Sequence, residues 1–427
     1  MYSIKSVHSR QIFDSRGNPT IECEVRTGFG RFVASVPSGA STGAKEAKEL
    51  RDREKSLNGM GVTKAIQNVN EILSVAVKGV DCREQATIDD YLLREDGTPD
   101  KSKLGANALL SVSLACAKAG AVAKRMELYE YISEMAQTKS MLPVPALNVI
   151  NGGKHAGNKL DFQEYQILPV RFNSFAEAFY AGTEVFQELK KILAKKYGKS
   201  AINVGDEGGF APNISKVEEP LDEILSAIES AGYAGKVLLA MDVAASSFAE
   251  TTDFGTTYSV EGKRISSTSL LKEYEALLDS YSIVSIEDPF SENDFASWEE
   301  LYSRIGKRVQ IVGDDLTVSQ KAFVEDSIKA KRANALLLKV NQVGTLTEAL
   351  ASAKTATDAN WAVQVSHRSG ETNDYFIADL AVGLGCGQIK SGAPCRGERL
   401  AKYNRLLKIE EDSKIKFAGK SAFKQLK

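Results

Sequence analysis

Six short apolar runs end, one after another, on a charged or titratable residue. LLAMD stops at Asp242, IVSIE at Glu287, QIVGD at Asp314, ALLLK at Lys339, AVQVSH at His367 and GQIK at Lys390. Most of the intervals are one strand plus one helix long. Strands buried on both faces read as such continuous runs. Their alternation with helices predicts a TIM-type barrel whose chemistry lies at the C-terminal ends of the strands. Strand candidates at 146–150, 162–169, 236–242, 282–287, 308–313, 334–340, 361–366 and 387–390 make eight. The first two come in succession, ahead of two helical stretches, SFAEAFYAGTEVFQELKKILAKKY and EEPLDEILSAIESAG. The class is therefore α/β, an eight-stranded ββαα(βα)6 barrel with its second strand expected antiparallel.

A chain of 427 residues exceeds one ordinary core, so two domains are expected. Residues 2–36 alternate in polarity between the turn signals SRGNP and GFG, which reads as a three-stranded antiparallel sheet. In VTKAIQNVNEILSVAV, helical spacing puts Ile66, Val69 and Leu73 on one face, and NALLSVSLACAKAGAVAKRM is apolar nearly all round, as in a buried helix. QTKSMLPVP then breaks the pattern with two prolines. This places a small α+β domain at 1–138 and the barrel at 139–427.

The net charge of −2 argues against nucleic acid or an anionic membrane as partner, so an anionic ligand must be held by a few local cations or a metal. Five scattered cysteines, odd in number and without a CxxC pair, read as reduced thiols of a cytoplasmic protein. The start, MYSIKSVHSRQIFDSRG, lacks the apolar core of a signal peptide. No apolar run reads as long enough to span a bilayer.

Asp242, Glu287 and Asp314 carry the first chemical inference. Acids at neighbouring strand ends converge on the barrel axis, and three unpaired carboxylates there repel one another. A divalent cation resolves the repulsion, and all-oxygen ligation suits Mg2+. The plainer alternative is that an acid caps a helix or pairs with arginine. Lys339 ends a buried run and reads as a general base or as a salt bridge to the trio. As a base it would have its pKa lowered by the metal and by Lys390. Glu164, in the strand QEYQI, and Glu207, in the loop GDEGGF, form a second acid pair. If they meet, one holds a proton and can act as an acid. Their spacing alone does not bring them together.

Three histidines are present. His155 lies in the glycine-rich loop NGGKHAGN, His367 at a strand end, and His8 in the N-terminal sheet, where it reads as structural. Arg368 and Ser369 follow His367 and supply a planar fork and a hydroxyl suited to an anion. The run VPSGASTG is no P-loop, since no Gly-Lys-Ser/Thr ending follows. It reads as a lid closing over the barrel mouth. GLGCGQ stands in the wrong order for a dinucleotide fingerprint.

Taken together, DSRGNPTIE, VPSGASTG, KLGANALL, LNVINGGKHAGN, QEYQI, GDEGGFAPN, SIEDPF, DDLTVS, LLLKVNQVGTL, SHRSGET, IADLAVG and QIKSGAP resemble the enolase family, phosphopyruvate hydratase, along essentially the whole chain. The resemblance implies reversible dehydration of 2-phospho-D-glycerate to phosphoenolpyruvate, a glycolytic step. It gives Lys339 the removal of the C2 proton and Glu207, with Glu164 beside it, the departure of the C3 hydroxyl. It makes Asp242, Glu287 and Asp314 ligands of a first Mg2+ and Ser41 a lid residue that meets a second. It puts His155, Gln163, Glu164, His367, Arg368, Ser369, Lys390 and Ser41 around the substrate. A homo-oligomer, dimer or octamer, is implied, and surface or secreted forms occur in the family.

Two positions depart from the family pattern. Asn373 stands where the family usually has glutamate. Glu22 fits an acid that the family pairs across its dimer interface, but Lys408 replaces the arginine and lacks its fork. A racemase or cycloisomerase of the wider superfamily would share the barrel and acid trio without needing HRS or SGASTG. A non-catalytic relative could lose its base or acid, yet Lys339, Glu207 and Glu164 are all present.

Overall fold

The computed structural model describes residues 1–39, 43–252 and 255–426. β1 (Ser6–Phe13), β2 (Pro19–Thr27) and β3 (Gly30–Ser35) form an antiparallel sheet in that order, as their alternation predicts. The helix Ala106–Ala123 packs across β2 and β3. By length and composition it could cross a bilayer, contrary to the expectation that no apolar run is long enough. However, 89% of it is buried inside the molecule, where its alanines, serines and Gly120 allow close approach on every side. Thr63–Asn68 begins the other expected helix, which widens into a π turn over Val69–Leu73. Val69 and Leu73 are fully buried and Ile66 partly so, which makes the predicted face the inner one.

Every expected barrel strand is present to within about two residues. β4 (Val144–Asn151), β5 (Glu164–Pro169) and β6 (Val237–Asp242) come first. A small sheet of β7 (Ala249–Thr252), β8 (Gly255–Val260) and β9 (Lys263–Ser266) then leaves the barrel. β10 (Ile283–Glu287), β11 (Gln310–Gly313), β12 (Ala335–Leu338), β13 (Ala362–Ser366) and β14 (Gln388–Lys390) complete the closed order β10-β11-β12-β13-β14-β4-β5-β6. β5 runs antiparallel to both neighbours, as its place in the chain predicts. This reversal brings the start of β5 to the rim where the other strands end, and Glu164 stands opposite Asp242 in register.

The other mouth is sealed. Phe423 of the C-terminal segment lies in one apolar cluster with Val144, Leu168, Leu238 and Val284. Above it Gln310 and Gln388 exchange amide hydrogen bonds of 2.9 and 2.8 Å across the barrel interior. The five cysteines are unpaired.

Gly385 illustrates a constraint on the outer layer. It ends the helix Phe376–Leu384 in the left-handed conformation, φ +58°, and an added Cβ would lie 2.1 Å from the Lys139 carbonyl oxygen. Gly385→Ala is expected to destabilise the protein by about 3 kcal/mol, combining left-handed strain with overpacking. Urea unfolding measures this, and a loss under about 1 kcal/mol would mean that the 139 segment yields freely.

Candidate active site

The strand ends form one acidic and basic cleft, lined among others by His155, Gln163, Glu164, Glu207, Asp242, Asp314, Lys339, His367, Arg368, Ser369 and Lys390. Its free volume is about 40 Å3, little more than a few waters need. Of the expected site residues, Ser41 lies outside the described residues. Glu287 ends β10 beside Asp242 in register and meets the cleft through Lys390.

Lys390 is the hub. Its Nζ lies 2.9 Å from Asp242 Oδ2, 2.8 Å from Glu287 Oε2 and 3.2 Å from Glu164 Oε1, all buried. Burial works to lower its pKa, but the three acids outweigh this and hold the ammonium well above the usual lysine range. The acids respond unequally. Burial and the Asp242 charge push Glu287 well above the usual carboxylate range. Asp314, though buried, is pulled below it by Lys339, whose Nζ touches its carboxylate.

Lys339 shows the salt bridge to the trio that its sequence position offered as the alternative. Burial acts to lower its pKa, and so does Lys390 as expected, but among the chain's own groups the Asp314 contact dominates and leaves the ammonium above its ordinary range. The backbone at Lys339 is fixed, because its N–H donates to Ser319 Oγ at 2.8 Å and that hydroxyl donates to the Leu337 carbonyl.

The residues fit a hard cation. Asp242 and Glu287 already surround a positive charge, and Glu287 Oε1 is buried without a hydrogen-bond partner. Asp314 stands on the adjoining strand end and acts electrostatically on Glu287. Among the described residues beside it, one ligand oxygen each of Asp288, Asp314 and Asp315 lies within 4.8 Å of the others. Asp288 has a structural task, however. Its two oxygens accept the Asp314 and Asp315 N–H groups at 2.8 and 2.9 Å. The sequence reading passed over Asp288, although IED shows it directly after Glu287. Ala244, Asp288, Val318 and Ser319 all have positive φ, from 41° to 54°. This is uncommon for such side chains, and it bends the chain sharply just past each acid of the trio.

On the far side, the Glu164–Glu207 meeting that spacing could not decide does occur. Both carboxylates lie 3.6 Å from His155 Nδ1. Burial and the Glu207 charge push Glu164 well above the ordinary carboxylate range. Burial also acts to raise Glu207, but His155, His367 and Arg399 hold it well below that range. Asn148 donates to Glu207 Oε2 at 3.0 Å, and His367 Nε2 is 3.2 Å from the same oxygen. Burial drives the His367 ring down to about 3, so it is neutral at pH 7 and faces Glu207 as a dipole. Both directions favour Glu164 over Glu207 as the protonated member of the pair. Lys339 follows β12, and Glu164 begins β5, four places away in an eight-stranded ring. Lys339 and the acid pair thus face each other across the barrel.

Arg368 is buried and paired bidentately with Glu46, at 2.9 and 3.2 Å. Glu46 follows the expected lid closely in sequence and was not foreseen, since nothing local in KEAKEL marks it. Gln163 donates to Asp242 at 3.4 Å, and its Oε1 is buried without a partner. Away from the cleft, Glu22 pairs with Arg10 at 3.0 Å and Lys408 with Asp412 at 2.7 Å, both within the chain.

Two family descriptions match the chain. Residues 4–132 match "Enolase, N-terminal domain", and residues 139–426 match "Enolase, C-terminal TIM barrel domain". A curated relative from Solanum lycopersicum, named "Enolase", is 52% identical over 436 aligned positions, covering 99% of this chain and 98% of the relative. With the closed barrel, its reversed second strand and the N-terminal sheet, these matches show that the chain belongs to the enolase family.

Proposed function

We propose that this chain catalyses the reversible, Mg2+-dependent dehydration of 2-phospho-D-glycerate to phosphoenolpyruvate, a carbon–oxygen lyase reaction of glycolysis and gluconeogenesis. The observation that carries this reading is the opposition of Lys339 to the Glu164–Glu207 pair across the barrel. An elimination needs a base at one carbon and an acid at the next, and a rigid ring of strands holds the two at fixed separation.

Lys339, as free amine, takes the C2 proton. That proton is weakly acidic because its loss puts a second charge beside an ionised carboxylate. Lys390 supplies a fixed positive charge where this charge develops. Divalent cations, the first held by Asp242, Glu287 and Asp314 and a second met by Ser41, would stabilise the same charge and neutralise the acids that otherwise keep both lysines protonated. The Glu164–Glu207 pair supplies the proton that goes to the departing C3 hydroxyl, with Gln166 donating to Glu164 Oε2 at 2.9 Å to orient it. Arg368 and Ser369 hold the phosphate, and His155 is a further substrate contact. For Arg368 this requires Glu46 to give up its fork. Gln163 and His367 complete the substrate contacts.

A homo-oligomer, dimer or octamer, and a cytoplasmic location belong to the same proposal. The test is the ultraviolet absorbance of phosphoenolpyruvate formed from 2-phosphoglycerate. Turnover with Mg2+ and its loss in EDTA are expected. Undiminished turnover in EDTA would remove the metal from the proposal, and no turnover with Mg2+ would end it.

A further inference from the structure

Arg399, on the helix Gly397–Asp412, has no exposed surface. Its guanidinium holds four groups at once. Nη1 donates to His367 Nδ1 at 2.7 Å and to the Arg368 carbonyl at 2.6 Å. Nη2 donates to the Asp206 carbonyl at 2.9 Å and the Ser369 carbonyl at 2.5 Å. One side chain thereby ties the loop that bears Glu207 to the strand end that bears His367, Arg368 and Ser369. The compensation for its charge is thin. The Glu398 carboxylate is 3.5 Å from Nε, and that Nε has no hydrogen-bond partner. Glu398 makes its shorter contact, 2.7 Å, with Arg396. A buried cation satisfied mainly by carbonyls is costly, which argues that it does more than fill space.

The contact with His367 has a definite chemical consequence. A guanidinium has donors and no acceptor, so His367 Nδ1 must accept. The ring proton is then on Nε2, the atom 3.2 Å from Glu207 Oε2. The opposite tautomer would set a lone pair beside the carboxylate in place of that proton; the approach is electrostatic, since Nε2 makes no aligned hydrogen bond. Three carbonyl contacts fix the two loops while the fourth fixes the ring between them.

We propose that Arg399 is a positioning residue that locks His367 as its Nε2–H tautomer and sets Glu207 against that N–H. This rests on the dehydration proposed above. The full-length protein is labelled with 15N in its histidine rings. Only His8, His155 and His367 contribute, and H367Q identifies the signals of His367. Wild type is expected to show the Nε2–H pattern. R399M is expected to show a mixture of tautomers, with kcat lowered about 100-fold. R399K keeps the charge but loses the fork, so a smaller shift and a loss of about 10-fold are expected. If R399M does not fold, as judged by circular dichroism, R399K decides on the same two readings. A fall in kcat with the tautomer unchanged, as a merely structural role would give, overturns the proposal. So does a changed tautomer with kcat within about twofold of wild type. Wild type without turnover would instead sink the dehydration reading, while its ring signals would still report the tautomer.

Discussion

Lys339→Ala is expected to abolish exchange of the C2 proton of 2-phosphoglycerate with solvent and to lower kcat by about 10⁴-fold, the upper end for loss of a general base. Two features of the cleft make the loss so complete. The other lysine lining it, Lys390, is held by Asp242, Glu287 and Glu164 within 3.2 Å and is not placed to substitute. The carboxylate in contact with Lys339, that of Asp314, is one of the ligands proposed for the cation. Alanine also frees Asp314 from its ammonium partner, so divalent cation binding should persist or tighten. That separates this variant from one that simply damages the site. Proton NMR of substrate incubated in heavy water gives the exchange, and titration calorimetry gives the cation. Exchange at the wild-type rate would remove Lys339 from the role of base, whatever happened to turnover.

Much of this architecture is legible in the sequence because the barrel strands are buried on both faces. An ALLL or IVSI run admits few other readings, and the residue that ends it must then lie at a rim. Asp242, Glu287, Lys339 and Lys390 were found that way. The reversed β5 followed from counting elements, since two strands in succession leave no crossover helix for a parallel connection. The sheet β7–β9 was missed because its strands are short, polar and largely exposed, with Tyr258 as a buried anchor. The site's pairings were the least legible part. Arg368 meets Glu46 across 322 positions, and Lys390 meets Asp242 across 148. No local period records which acid a buried base will face. Lys339 shows the same limit, since ALLLK reveals its burial and allows a bridge to the trio, but not which of the three acids it meets.

Glu287→Gln is expected to move stability in opposite directions with and without magnesium. In EDTA, the wild-type protein keeps Glu287 beside Asp242 and Asp314 in a buried setting, and its carboxyl is held well above its ordinary range. A raised folded-state value means that the unfolded chain gives up this proton more readily. The native state therefore loses stability as pH rises from the ordinary carboxylate value toward the raised one. Glutamine keeps the shape and removes the charge, so the EDTA-treated variant should be more stable than wild type at pH 7. With magnesium the order reverses. A cation at 100 times its dissociation constant stabilises the wild type by about 2.7 kcal/mol. The variant lacks an anionic oxygen that is buried without a partner, Oε1, and should lose nearly all of that gain. It should also lose more than the roughly 10- to 100-fold in affinity that an outer-shell partner costs. Urea unfolding in EDTA and in magnesium, followed by circular dichroism, gives both signs from one preparation. A variant that magnesium still stabilises as strongly as wild type would place the cation away from Glu287. The neighbouring Asp288–Asp314–Asp315 group would then become the candidate site.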